Sequence, residues 1–399
     1  MAPNQHLALL LASGLICTTT SQAYAQAQSR STLISHASLA AEVIHPGSIA
    51  LLAQNNRHSE LSDEQQDALD ELLRQAQDKV EIRDYGSAID LYQQAIRIDP
   101  TNARLYSGIG YLHIQQESYR EAIAPYQQAI ALEPNNLPFQ YGLAYAHVQL
   151  ADYEPAISTY QAIIELVPGE ADAYLGLGNI YITLEDYETA LDTYQTLTRI
   201  APGNARAHEA LGTLYLNQDD YTAAHSAFQR ALSLDRSRSE PYVGLAETQL
   251  ALGDKDAAFR NLQEAAKLDP TAAEAQFLLG ELAIDQGDED TAYTYYRQAV
   301  ESDPNLLAAQ AAVGAMHLER EAYLQAVLSY QRIVNALPED AGAHYNLGLA
   351  FWGQGFRQQA VDAISTARLL YSQQDDTLGM ERVDALIDLW GLESTAESE

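Results

Sequence analysis

The chain has 399 residues, 47% of them hydrophobic, which is enough to bury a core, and its formal net charge is −33. A surface this acidic repels phosphate backbones and anionic lipid, so composition argues against nucleic acid as a partner and favours basic or neutral proteins. Lysine occurs only at Lys79, Lys255 and Lys267, leaving arginine to carry most of the positive charge. The same acidity would also serve solubility or tolerance of salt, and composition alone leaves both readings open.

The first 25 residues read as a secretory signal peptide. Leu7 to Ile16 is an apolar run too short for a comfortable membrane span. Polar threonines follow, then Ala23-Tyr24-Ala25, with small residues at the two positions a signal peptidase reads. Cleavage after Ala25 is expected, placing the mature chain in a periplasm or an equivalent extracytoplasmic lumen. No Lys or Arg precedes the apolar run, so an uncleaved, membrane-tethered form stays open. The one cysteine, Cys17, follows Gly14-Leu15-Ile16, a poor fit to a lipoprotein site because a bulky isoleucine stands where a small residue is wanted. Cleavage after Ala25 therefore leaves a mature chain with no disulfide and no thiolate chemistry.

Residues 26–61 are rich in Ser, Gln, Ala and Asn and show no sustained hydrophobic period. They read as a disordered linker with a short helix near Leu33 to Val43. His36, His45 and His58 fall here at spacings that match no metal motif. At Ser62 the pattern changes. Ser62 with Gln65 three residues on is a capping box ahead of an apolar helical face.

From residue 62 to residue 374 a 34-residue period governs the chain. Proline recurs at Pro100, Pro134, Pro168, Pro202, Pro270, Pro304 and Pro338, with Arg236 at the one vacant step. With that proline as the thirty-second residue, nine repeats span 69–102, 103–136, 137–170, 171–204, 205–238, 239–272, 273–306, 307–340 and 341–374. The eighth position is always Ala or Gly, from Ala76 and Gly110 to Gly348. The twentieth is alanine in all nine, from Ala88 to Ala360. The seventh is mainly leucine. The twenty-fourth is mainly aromatic, as in Tyr92, Tyr126, Tyr160, Tyr194, Phe228, Tyr296 and Tyr330. Each repeat thus predicts two helices of about 12 to 14 residues. The small positions let the helix backbones approach, the aromatic and leucine positions fill the space between neighbouring pairs, and the proline ends the second helix. An apolar stripe of Leu378, Val383, Leu386, Ile387 and Trp390 predicts a capping helix within 375–391, which a stacked array needs because an unpaired end would expose core. Residues 392–399 read as a disordered polar tail.

At these positions the sequence resembles the tetratricopeptide repeat family over residues 69 to 374, about three quarters of the chain. The resemblance implies an all-α, right-handed α-solenoid of nine helix-turn-helix repeats, with the first helix of each pair lining a concave groove that binds peptides or protein segments. Repeat one departs from the pattern with Gln75 and Lys79 at usually apolar positions. Repeat five lacks the proline, repeat six has Lys255 and Leu262 where aromatics are common, and Pro125 falls inside a second helix, where it should kink the helix or remove a hydrogen bond.

No catalytic arrangement stands out, and the chain reads as non-enzymatic. Gly108-x-Gly110 and Gly176-x-Gly178 have nucleotide-loop spacing but follow no strand, and they occupy the sixth and eighth repeat positions, where packing explains them. The run Asp285 to Asp290 lacks the ligand spacing of a calcium loop and reads as a solvated turn. His113, His147 and His317 share the eleventh position in separate repeats, read as packing residues that cannot meet at one metal. No cofactor and no metal are expected.

By the resemblance, the groove is lined by the second, fifth, ninth and thirteenth positions. In repeats two to four these positions offer Tyr111, Gln115, Tyr141, Tyr145, Gln149 and Asn179, which suit proline- or aromatic-containing segments. In repeats five to seven they offer Glu209, Glu240, Glu247, Glu274, Glu281 and Asp285, which suit ligands bearing Lys or Arg. The fifth position holds no lysine, so the family's clamp for a partner's C-terminal carboxylate is absent. The expected function is a protein-interaction scaffold outside the cytoplasm. Two alternatives remain: a component of an envelope or secretion assembly working through its convex face or termini, and a structural spacer with no groove ligand.

Overall fold

The structure, a computed structural model, describes residues 61–391, and among them it contains nineteen α-helices and no strand. The expected signal peptide, most of the expected linker and the polar tail lie outside the described residues. The first helices are α1 (Asp63–Glu81), α2 (Tyr85–Ile98), α3 (Ala103–Gln115), α4 (Tyr119–Leu132), α5 (Leu137–Gln149), α6 (Tyr153–Leu166), α7 (Ala171–Thr183), α8 (Tyr187–Ile200) and α9 (Ala205–Asn217). After them come α10 (Tyr221–Leu234), α11 (Glu240–Ala251), α12 (Lys255–Leu268), α13 (Ala273–Asp285), α14 (Glu289–Ser302) and α15 (Leu307–Glu319). The last are α16 (Tyr323–Ala336), α17 (Ala341–Gln354), α18 (Arg357–Gln373) and α19 (Thr377–Trp390). The chain forms two compact units whose boundary falls between Leu214 and Tyr215, and each is a stack of helical pairs in which consecutive helices pack on one another.

The turn inside each repeat is the same in all nine. The fifteenth residue of the repeat, just past the first helix, is left-handed: Arg83, Glu117, Ala151, Glu185, Asp219 and Glu321 have φ between 57° and 60°, while glycine fills the role at Gly253, Gly287 and Gly355. The next N–H bonds back across the helix end, as Asp152 N to His147 O at 2.9 Å and Asp254 N to Gln249 O at 2.8 Å. This is the Schellman closure, which satisfies carbonyls that a helix end would otherwise leave open. In six of the nine repeats an aspartate then stands at the N-cap of the second helix. Asp84, Asp186, Asp220, Asp254 and Asp288 each accept the backbone N–H three residues on. Asp152 makes no such bond because Pro155 stands at that position and has no N–H to give.

The turn between repeats explains the recurring proline more fully than chain termination does. The fourth residue of the next repeat reaches back to the proline's carbonyl. Tyr106 donates to Pro100 at 3.2 Å, Gln140 to Pro134 at 2.7 Å, Tyr174 to Pro168 at 3.4 Å and Gln310 to Pro304 at 3.0 Å. His208 and His344 make the same contact through Nε2 at 3.2 and 3.0 Å. A preceding aspartate often closes the turn from the other side, as Asp99 does by accepting both the N–H and hydroxyl of Thr101. Repeat five, without its proline, keeps that half of the device: Asp235 accepts from Ser237 N at 2.9 Å and from its hydroxyl at 2.7 Å. The following helix starts one residue late, at Glu240. Pro125 lies inside α4, which continues through it as one helix.

Packing corrects one physical expectation. The small positions make room for a ring rather than for a second backbone. A Cβ at Gly178 would sit 2.5 Å from the Tyr194 ring, at Gly280 2.5 Å from Tyr296, and at Gly110 2.7 Å from Tyr126. The ring also presses on the sixth residue of the next repeat, as Tyr126 on Gly142, Tyr160 on Gly176 and Phe228 on Gly244. The two sites compensate. Where the eighth residue is Ala144, the next sixth is Gly176; where the next sixth is Ala210 or Ala312, the eighth is Gly178 or Gly280. All nine twentieth-position alanines are fully buried. At the C-terminal end α19 lays Val383 and Leu386 onto the core, and Asp384 accepts from Arg368 at 2.7 Å. Trp390 stacks on Trp352 with centroids 3.8 Å apart, and the Arg357 guanidinium covers that ring's centre at 3.6 Å. These are the chain's only two tryptophans.

Candidate functional site

In the unit ending at Leu214, the expected ligand-facing residues divide into packing rings and free polar groups. Tyr111 and Tyr141 are each only 8% exposed. The Tyr141 hydroxyl donates to Glu170 Oε1 at 3.3 Å, and its ring meets Tyr160 edge-on at 6.2 Å. Burial, then the charges of Glu170 and Asp172, pushes the Tyr141 phenol well above its ordinary range, so it stays a donor. Tyr145 is half-buried with its ring edge-on to Tyr119 at 6.1 Å. Asn179 accepts from the Tyr194 hydroxyl at 2.6 Å. Glu209 is 6% exposed. Gln115 and Gln149 are exposed. The part able to meet a ligand is therefore smaller than the sequence suggested: Gln115, Gln149 and the open side of Tyr145.

In the unit beginning at Tyr215, the carboxylates are more unusual. Asp285 is exposed and pairs with Lys255 at 2.5 Å, and Glu240 is exposed beside Arg238 at 3.6 Å. Glu247, Glu274 and Glu281 are half-buried on the first helices α11 and α13. Burial raises the pKa of all three. For Glu247 the nearby Glu274 adds to the shift, and for Glu274 the nearby Asp303 does. Among the described residues, no lysine or arginine pairs with Glu247 or Glu274. Glu281 differs, because the Tyr296 hydroxyl donates to its Oε1 at 2.5 Å and opposes the shift. Burying anions without cations is unfavourable, and the local remedies are a shared proton or an incoming cation.

The remaining sequence motifs resolve as packing. His147 is buried, while His113 and His317 are half-buried with their pKa lowered, burial first. The His317 ring lies edge-on to Tyr293, and its Nε2 is 3.2 Å from that hydroxyl. In the acidic run, Asp288 caps α14 and Asp290 pairs with Arg320 at 2.8 Å. No group of three His, Cys, Asp or Glu able to hold a metal occurs among the described residues. Both Gly-x-Gly pairs lie under tyrosine rings.

Family models described as tetratricopeptide repeats match residues 81–117, 113–167 and, in four overlapping stretches, 141–306. Together they cover more than half of the chain. The chain belongs to the tetratricopeptide repeat family. A TPR repeat-containing protein of Picosynechococcus sp. is 31% identical over 67 residues, which is 17% of each chain, so the match spans about a sixth of that relative's length. A tetratricopeptide repeat protein from Parabacteroides merdae is 20% identical, with 62% of this chain and 98% of that one covered at a TM-score of 0.49. MamA from Desulfovibrio magneticus is 23% identical, with 43% and 96% covered at 0.38. YrrB, described as a TPR protein with an unusual peptide-binding site, is 23% identical, with 46% and 95% covered at 0.37.

Tetratricopeptide repeats are interaction scaffolds that bind proteins or peptides, and the fold generally serves as a non-enzymatic scaffold. No helix among the described residues is long and apolar enough to cross a membrane. Sequence reasoning missed that the repeat's own aromatic position reaches the ligand-facing one. Tyr194 to Asn179 and Tyr296 to Glu281 are both separated by fifteen residues. Tyrosine at position twenty-four with a polar residue at position nine does not by itself signal the contact: repeat one has Tyr92 and Gln77, and Gln77 bonds to Glu81 instead.

Proposed function

We propose that the first helices of these repeats bind an extended protein segment, and that Glu247, Glu274 and Glu281 select segments carrying lysine or arginine. The observation that supports this is the pair of half-buried carboxylates on α11 and α13 with no cationic partner among the described residues. A ligand cation would bring the missing charge into a site of lowered dielectric, where it counts for more than on an open surface. The amides of Gln115 and Gln149 and the half-buried Tyr145 suit backbone groups and apolar or proline side chains of such segments.

The test is binding of a synthetic Lys/Arg-bearing peptide, beside its glutamine counterpart, to the full chain and to a Glu247→Gln, Glu274→Gln, Glu281→Gln variant. Binding that weakens with salt and collapses in the triple variant, but survives the exposed control Glu301→Gln, supports the reading. Equal binding to all three proteins refutes it. We also propose that the protein works outside the cytoplasm, on the strength of the apolar run Leu7 to Ile16 and Ala23-Tyr24-Ala25. Mass analysis of the protein from its native host should find a chain beginning at Gln26. A protease-inaccessible chain beginning at Met1 in the cytosolic fraction would overturn that.

A further inference from the structure

We propose that Tyr296 is a positioning residue for ligand recognition: its hydroxyl fixes the Glu281 carboxylate toward the ligand, so that repeat seven presents a tethered carboxylate where repeat six presents an untethered one. The inference rests on the reading that Glu281 meets a cationic ligand.

Three observations carry it. First, the two functions of Tyr296 are separable in the structure. Its ring packs against Gly280, with an added Cβ there falling 2.5 Å away, while its hydroxyl donates to Glu281 Oε1 at 2.5 Å. The ring is 3% exposed and cannot swing away, so the hydroxyl is a fixed donor. Secondly, the arrangement recurs at the same offset in the other compact unit, where Tyr194, fully buried, donates to Asn179 at 2.6 Å. In both cases the twenty-fourth residue of a repeat holds the ninth residue of that repeat. Thirdly, repeat six supplies the contrast within the chain. Its ninth residue is Glu247, but its twenty-fourth is Leu262, which is fully buried and has no hydroxyl to offer. The same acid at the same repeat position is thus tethered once and untethered once.

A carboxylate held by one short donor keeps its second oxygen for a partner in a fixed direction, which favours a bidentate guanidinium or an oriented ammonium over a diffuse counter-ion. The tether also opposes the burial and the Asp285 charge that would otherwise push a proton onto Glu281. Glu247 lacks that help, and its burial and the nearby Glu274 both push its pKa upward.

The decisive experiment is a double-mutant cycle on the full chain with Tyr296→Phe and Glu281→Gln, using the Lys/Arg peptide as probe. Tyr296→Phe keeps the ring and removes only the hydroxyl, so the thermal midpoint should hardly move. The expected result is a loss of about three- to tenfold in peptide affinity in the parent and none in the Glu281→Gln background. Carboxyl carbon NMR should show the Glu281 titration moved upward in Tyr296→Phe. If Glu281→Gln weakens binding while Tyr296→Phe does not, the positioning role is overturned and the groove reading stands. If Tyr296→Phe weakens binding equally in both backgrounds, the hydroxyl acts through the fold and not through Glu281. If Glu281→Gln itself leaves affinity unchanged, Glu281 does not meet the ligand and the positioning role is overturned, while the groove reading is decided by the triple variant.

Discussion

Replacing Gly178 by alanine isolates the contact on which each repeat is built. The new methyl carbon would lie 2.5 Å from Tyr194 Cζ and 2.8 Å from both Cε atoms, where ordinary contact begins near 3.4 Å. Tyr194 has no room to retreat, being fully buried with its hydroxyl bonded to Asn179. The sixth position of the next repeat, where other rings press on glycine, holds Ala210 and so offers less room. Overpacking of this kind costs about 1–3 kcal/mol, against which alanine regains about 1 kcal/mol of helix propensity over glycine. Because the ring has no room to retreat, the upper part of that range, about 2–3 kcal/mol, applies, and the net expectation is a loss of about 1–2 kcal/mol, a factor of roughly 5–30 in local opening. Repeat stacks open in stages, so the readout should be native-state hydrogen exchange of the α7 and α8 amides and not a single melting midpoint. Gly86→Ala is the internal control: nothing lies within 4 Å of its Cβ, so exchange in α2 should be unchanged or slower. Adding Ala210→Gly to Gly178→Ala should restore part of the loss, following the alternation seen at Ala144 and Gly176. Unchanged or slower exchange in α7 and α8 for Gly178→Ala would refute the ring-over-glycine account.

Other expectations follow from separate features of the structure. Ala151 is left-handed at φ 57° with no side-chain bond to hold it there, so Ala151→Gly should stabilise the α5–α6 turn by about 0.5–1 kcal/mol, read as slower exchange at Asp152 N. Trp390→Ala should release α19, and because Trp352 then becomes the only tryptophan, the stacked-indole signal in near-ultraviolet circular dichroism should vanish while helix content elsewhere is kept; a surviving α19 with full exchange protection would contradict the latch. The raised carboxyl pKa values of Glu247 and Glu274 mean that the folded state holds protons that the unfolded chain has lost. Their contribution is therefore fully favourable below the ordinary carboxyl range and is lost as pH rises from there through neutrality. Glu247→Gln should be more stable than the parent at neutral pH and indistinguishable near pH ~4; equal stability at both would show that the pair is not desolvated.

Much of this protein is set by sequence-local chemistry. A period of 34 residues, nine twentieth-position alanines and a proline at the end of seven of the nine second helices specify paired helices whatever lies around them, because helix periodicity and the geometry of proline act over a few residues. The capping box at Ser62 and Gln65 formed as its spacing implied, with bonds of 3.2 and 3.0 Å. Other features needed the third dimension. Arg83, Glu117, Ala151 and Glu185 carry no turn signature, yet all are left-handed, because the Schellman bond and the packing of two helices leave the linking residue no other conformation. Tyr111, Tyr141 and Glu209 stand at repeat positions expected from sequence to face a ligand but are more than nine-tenths buried. A repeat position fixes which side of a helix a residue occupies, whereas burial depends on how closely the neighbouring helices press against it. The same holds for Glu247 and Glu281, alike in position and in chemistry. What distinguishes them is a hydroxyl fifteen residues away, present on Tyr296 and absent from Leu262, and only tertiary packing brings that atom to one carboxylate and leaves the other without it.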